Sequence, residues 1–232
     1  MANWVLLSGW AMPPQSWQPC LAELSALGQL QVLDYRGLQS SDLAGAAAEL
    51  LRQASARANW LGWSLGGRLA MEAAAQAPQR VQAVVTLTAS PCFVDAQLGM
   101  PAAVFNDFVA GMATQPELTL KRFAGLVAQH STDPRAALRQ VRSWLAQNQT
   151  EQLAHIAAQL SWLADDQRAR WQQVQVPHWH LLQRQDALLP AALAQVWQPH
   201  AYLAGGHLSW QEQVGQWLPL LQCWLQQEGL DG

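Results

Sequence analysis

Charge is scarce in this sequence. Lysine, arginine, aspartate and glutamate make up 12% of 232 residues and the formal net charge is −3, so nothing pulls the chain as a whole toward nucleic acid. Cysteine is scarce as well. Cys20, Cys92 and Cys223 are odd in number, widely scattered and never spaced C-x-x-C, which argues against a disulfide framework and a zinc site and leaves buried thiols as the expectation. Half of the residues are hydrophobic, yet no uninterrupted apolar run approaches the roughly 20 residues needed to span a bilayer. The opening segment, "MANWVLLSGWAMPPQSW", has no basic region before its apolar stretch and no small-residue cleavage site after it. These absences together lead us to expect a cytoplasmic protein without metal, nucleic-acid partner or membrane partner.

What the sequence does contain is alternation. "WVLLS" (4–8), "LQVLD" (30–34), "ANWLGW" (58–63) and the β-branched "VQAVVTLTA" (81–89) read as strands. Between them lie helical stretches near 16–27, across 40–54 with Ser/Asp at its front, and across 65–77. Such spacing predicts βαβ units and a mostly parallel sheet flanked by helices. From about 95 to 173 the strands stop, and amphipathic stretches (101–113, 116–129, 134–147, 149–164) follow one another. "PHWHLLQ" (177–183), a helix near 190–198, "HAYLA" (200–204) and a helix over 210–226 then resume the pattern. We expect an α/β core made of 1–94 and 174–232, interrupted by a helical cap over 95–173. The thirteen tryptophans are expected to fill core and cleft.

Within this frame, Gly62-Trp63-Ser64-Leu65-Gly66 fits G-x-S-x-G and falls between a strand and a helix, the context a nucleophile elbow requires. A serine hydroxyl is a weak nucleophile near neutral pH, so a base must take its proton and an acid must hold that base in the right tautomer. Downstream, "LLQRQDALLP" places Asp186, and "YLAGGHLSW" places His207, just past predicted strands. The remaining histidines are placed less well: His130 and His155 fall on insertion helices, His178 and His180 within a strand, and His200 before one. Asp165 and Asp166 fall in the insertion, and Asp34 comes too early in the chain order, so structural roles are expected for them. An oxyanion hole needs two backbone N–H groups, which we assign to Leu65 and to Trp10 in "LLSGWAM".

The combination of "LLSGW", "GWSLGG", "VQAVVTLTASPCF", "DALLP" and the late "GGH" resembles the α/β-hydrolase fold, and within it the pimeloyl-[acyl-carrier protein] methyl ester esterases of biotin synthesis. The resemblance spans nearly the whole chain and is strongest over 59–94. It implies hydrolysis of a carrier-bound methyl ester without a cofactor, with Ser64 as nucleophile, Asp186 and His207 as its partners, and Trp10 and Leu65 at the substrate carbonyl. It also implies Phe123 in the acyl channel and acyl carrier protein docking at Arg122, Arg135 and Arg139; a monomer is expected. The chain departs from the family at Ser8, where histidine is usual, at Leu118, where a docking arginine is usual, and in starting almost directly at its first strand. Independently, 121–142 holds Lys121, Arg122, Arg135, Arg139 and Arg142 against Asp133 alone, a local charge of +4, with the last three arginines on one helix face. That face suits an acidic protein or phosphate groups. A general short-chain carboxylesterase, a lyase similar to the menaquinone-pathway cyclohexadiene carboxylate synthase that would use Arg68, and a non-catalytic binding protein on the same scaffold stay open.

Overall fold

A computed structural model describes residues 2–230. Six strands, β1 (Asn3–Leu7), β2 (Gln29–Leu33), β3 (Ala58–Trp63), β4 (Val81–Leu87), β5 (His178–Gln183) and β6 (Ala201–Leu203), form a wholly parallel sheet in the order β2-β1-β3-β4-β5-β6. β3 is buried at every residue and β4 at all but one, as near-continuous apolar strands must be when helices cover both faces of a sheet. The chain runs from β1 outward to β2 and then crosses back to β3 on the other side of β1. Such a reversal opens a crevice beyond the carboxyl ends of β1 and β3, where parallel sheets bind their ligands.

The core helices are α1 (Leu21–Leu24), α2 (Leu43–Gln53) and α3 (Leu65–Gln76). Asp42 caps α2 by accepting from the Gly45 N–H at 2.7 Å, so the helix starts at Leu43 and not at residue 40. The helix expected over 16–27 is broken into 3-10 turns around the four-residue α1, because Pro19 removes a donor inside it. Between β4 and β5 run α4 (Ala102–Thr114), α5 (Pro116–Ala128), α6 (Pro134–Leu145), α7 (Thr150–Ala158), α8 (Ser161–Ala164) and α9 (Arg168–Gln172). The stretch expected as one helix over 149–164 is therefore two. In α6, Asp133 caps the backbone N–H groups of Arg135 and Ala136 at 3.0 Å each, Pro134 occupies the first turn, and Ala137, Val141, Trp144 and Leu145 form the buried face. The short α10 (Leu193–Val196) and the amphipathic α11 (Val214–Gln227) complete the chain.

Nine of the thirteen tryptophans, Trp4, Trp17, Trp60, Trp63, Trp162, Trp171, Trp179, Trp210 and Trp217, are essentially inaccessible, whereas Trp197 is half-buried. Cys20 and Cys92 are buried free thiols, whereas Cys223 is exposed. Burial pushes the Cys20 thiol up to about 12. Among the described residues no helix is long and apolar enough to cross a membrane.

Candidate active site

Ser64 sits at the carboxyl end of β3 with φ +56° and ψ −118°, a strained conformation for a residue with a side chain. The turn is possible only because its neighbours lack side chains. A Cβ on Gly62 would strike the Gly66 backbone, and one on Gly66 would strike the carbonyls of Leu7 and Ser8. The Ser64 N–H donates to the Leu87 carbonyl at 2.9 Å and its carbonyl accepts from Gly67 at 2.9 Å. Leu65 opens α3, so its N–H is one of the first-turn donors without an acceptor inside the helix. The same helix end favours developing negative charge.

The loop after β1 carries a further N–H without an acceptor among the described residues. Among the described residues the Trp10 N–H donates to no protein acceptor. Its indole N–H donates to the Ile156 carbonyl in α7 at 2.8 Å, and its ring packs edge-on against Phe123 at 5.0 Å and Phe108 at 5.4 Å. Ser8, the residue that departs from the family pattern, braces this loop internally: its hydroxyl donates to the Pro13 carbonyl at 3.1 Å and accepts from Ser16 at 2.9 Å. The Tyr35 hydroxyl donates to the Ser8 carbonyl at 2.9 Å, and burial holds that hydroxyl well above its ordinary pKa, so it stays a donor.

Asp186 and His207 meet as the sequence predicts. His207 Nδ1 lies 2.8 Å from Asp186 Oδ2, and both side chains are 1% exposed. Asp186 Oδ1 accepts from the N–H groups of Leu188 at 2.8 Å and Leu189 at 3.2 Å. The carboxylate is thus fully hydrogen-bonded and turned toward the imidazole, as a buried charge requires. The His207 carbonyl accepts from the Trp63 indole at 3.2 Å and from the Thr88 hydroxyl at 3.3 Å. The rings of Trp63 and His207 are 5.8 Å apart, which puts the imidazole beside the residue that precedes Ser64.

Ser64 faces a narrow cavity lined by Trp10, Phe93, Met100, Phe105, Phe108, Phe123, Leu126, Leu160, Leu163 and Leu188. The serine hydroxyl is its one polar side chain. Such a site takes an apolar chain and repels an unpaired charge. Backbone strain gathers here too. The non-glycine residues with left-handed φ among the described residues are Ala11, Ser64, Thr88 and His130, and each lies in or against the loops just described.

The other sequence candidates lie elsewhere. Arg68 is 1% exposed and spends its guanidinium on the carbonyls of Ser90 (2.8 Å) and Asp165 (2.5 Å); burial lowers its pKa to about 10. His130 is not on a helix but in a turn after α5 with φ +63°. His180 is buried in β5 and shares a 2.7 Å hydrogen bond with Thr86 Oγ1, Asp166 pairs with Arg168, and Asp34 holds Arg36. Arg122 on α5 and Arg135, Arg139 and Arg142 on α6 are exposed, and none is ion-paired among the described residues. Trp63, Thr88 and Ser209 were missed as supports of the histidine loop. The nearest signal was the serine two positions after "GGH".

Over 131 residues the chain is 40% identical to the pimeloyl-[acyl-carrier protein] methyl ester esterase of Pectobacterium carotovorum, covering 53% of this chain and 51% of that protein. It is 36% identical over 130 residues to the protein of that name from Aliivibrio salmonicida, covering 53% and 50%. The chain thus spans about half the length of the curated relatives it matches. Among solved structures, a hydrolase from Oleispira antarctica shares the fold with a TM-score of 0.79 at 18% identity, covering 97% of this chain and 91% of that one. The pattern of the alpha/beta hydrolase family matches residues 4–218, which takes in the sheet, the elbow and the loops of Asp186 and His207. By that match and by its parallel sheet, the chain belongs to the alpha/beta hydrolase family.

Proposed function

We propose that the protein is a serine carboxylesterase that hydrolyses the methyl ester of pimeloyl-acyl carrier protein. The observation that carries this reading is a buried carboxylate–histidine pair, 2.8 Å apart, packed near Trp63, the residue before a strained serine that faces an apolar cavity. The names of the relatives support the choice of substrate.

In this reading Asp186 keeps the proton of His207 on Nδ1, which leaves Nε2 basic. His207 takes the Ser64 proton as Oγ adds to the ester carbonyl, and the N–H groups of Leu65 and Trp10 hold the oxyanion. Methanol leaves with the proton from His207. Water then adds to the acyl-enzyme with His207 again as base, releasing the carboxylic acid and restoring Ser64. The ionised product is ill matched to the cavity wall, which favours its departure.

The same helix serves cavity and surface. On α5, Phe123 packs on Trp10 inside while its neighbour Arg122 is exposed, so one helix presents a side chain to the cavity and a charge to a carrier outside. Residues 95–173 act as a lid on the core of 1–94 and 174–232, and an acidic carrier docks on Arg122, Arg135 and Arg139. The protein works as a monomer in the cytoplasm. Arg68 argues against the lyase reading, since both terminal nitrogens of its guanidinium donate to backbone carbonyls and it does not line the cavity.

Incubation with methyl pimeloyl-acyl carrier protein, followed by mass, tests this reading. Loss of the methyl group that disappears with Ser64→Ala supports it. Turnover unchanged in Ser64→Ala would falsify the nucleophile assignment, and a wild-type protein inert to both substrate and a fluorophosphonate probe would point to a binding protein.

A further inference from the structure

We infer that Ser209 is a positioning residue: its hydroxyl transmits the hold of the corner between α5 and α6 onto the loop of His207. The helical insertion then supports the base as well as covering Ser64. This inference rests on the reading of His207 as the base.

The Ser209 side chain is buried and doubly committed. Its hydroxyl donates to the His130 carbonyl at 3.1 Å and accepts from the Gly206 N–H at 2.9 Å. Gly206 immediately precedes His207, so one oxygen joins the corner to the backbone of the histidine. A hydroxyl can donate and accept at once; alanine in its place can do neither. His130 presents its carbonyl from a left-handed turn at φ +63°, and Gly206 lies so close to the Gln129 carbonyl that a Cβ would not fit. A second tie lies further out, where the Thr132 N–H donates to Glu212 Oε2 at 2.8 Å. On the opposite side, Trp63 and Thr88 hold the carbonyl of His207 itself. The histidine backbone is therefore clasped between strand ends of the core and one corner of the insertion. That corner joins the two helices that carry Arg122, Arg135 and Arg139.

The Ser209 N–H donates separately to the Gly206 carbonyl at 3.0 Å, so Ser209→Ala removes the clasp without removing the turn. Glu212 is exposed, which makes Glu212→Ala a variant that folds whatever Ser209→Ala does. Hydrolysis of p-nitrophenyl butyrate is measured for both, with kcat and KM across pH, beside thermal melting and a His207→Ala control. A misplacement of about 1 Å costs on the order of a hundredfold in rate. For Ser209→Ala we expect kcat to fall roughly tenfold to a hundredfold, with KM within about twofold. We also expect the acid limb of its profile to shift to lower pH as the pairing with Asp186 loosens; a purely structural role would move the melting temperature and leave that limb in place. For Glu212→Ala we expect a several-fold fall in kcat at unchanged melting temperature. Should Ser209→Ala not fold, Glu212→Ala decides alone. Folded variants with wild-type kcat and an unmoved acid limb overturn the inference while His207→Ala is inactive. A fully active His207→Ala overturns the base assignment itself, and the inference with it.

Discussion

Replacing Asp186 by asparagine changes one oxygen to an amide nitrogen at almost constant volume, and the surroundings dictate which one. Oδ1 accepts from two backbone N–H groups, those of Leu188 and Leu189, whereas Oδ2 faces only His207 Nδ1. Turning the NH2 toward the backbone would leave buried donors facing donors, each costing about 1–3 kcal/mol. The amide oxygen therefore stays on the backbone and the NH2 group meets the imidazole. Nδ1 must then accept, the ring proton moves to Nε2, and the nitrogen that should take the proton of Ser64 is already occupied. A wrong tautomer of this kind costs about 10⁴ in kcat, or about 5.4 kcal/mol of barrier. The assay is steady-state hydrolysis of p-nitrophenyl butyrate from pH 6 to 9, with thermal melting to confirm an intact fold. A folded Asp186→Asn protein that loses less than tenfold in kcat/KM would refute both the orientation argument and the role of the pair.

Other expectations test the scaffold and the surface. Gly66→Ala forces a Cβ into the carbonyls of Leu7 and Ser8, an overpacking that costs about 3 kcal/mol and should lower Tm by roughly 6–12 °C; an unchanged Tm in calorimetry would contradict the packing of α3 on β1. His180 is held far below the ordinary histidine value of 6.5 by burial and then by His178 and His200. The unfolded chain takes up a proton as pH falls through 6.5 and the folded chain does not, so this contribution is complete above 6.5 and is lost at about 1.4 kcal/mol per pH unit below it. Urea unfolding at several pH values should show that slope, and His180→Gln should flatten it. Arg135→Glu combined with Arg139→Glu should raise KM for the carrier-linked ester by about tenfold, less at high salt, and leave p-nitrophenyl butyrate kinetics as they were. An equal effect on both substrates would remove these arginines from docking.

Much of this architecture is legible in the sequence because it depends on residue type at fixed spacing. β3 and β4 are apolar throughout, as strands in a covered parallel sheet must be, and the glycines around Ser64 are the residues a tight strand–helix turn demands. Boundaries were less legible where one residue outweighs a pattern. Pro19 breaks the apparent helix over 16–27, and the cap at Asp42 starts α2 at Leu43 where residue 40 was expected. The pairing of Asp186 with His207 was legible because each follows a strand and few alternatives exist. Their supports were hidden, since backbone carbonyls accept most of the bonds and leave no trace in residue identity. Thr88 reads as the end of a strand, yet the strand stops at Leu87 and Thr88 turns to φ +46°. Arg68 reads as a group for substrate and is instead a strut between Ser90 and Asp165.

The second letter of G-x-S-x-G is conventionally free, and Trp63 gives it an occupation. Its indole N–H holds the carbonyl of His207, a residue 144 positions later in the chain. Ser64 and His207 are therefore referenced to one another through the side chain of Trp63, and not only through the fold at large. Phenylalanine at this position would keep the apolar bulk and the turn but release the far end of that link. A change at position 63 is thereby felt at the loop of His207, so two segments that look separable in the sequence are constrained to change together.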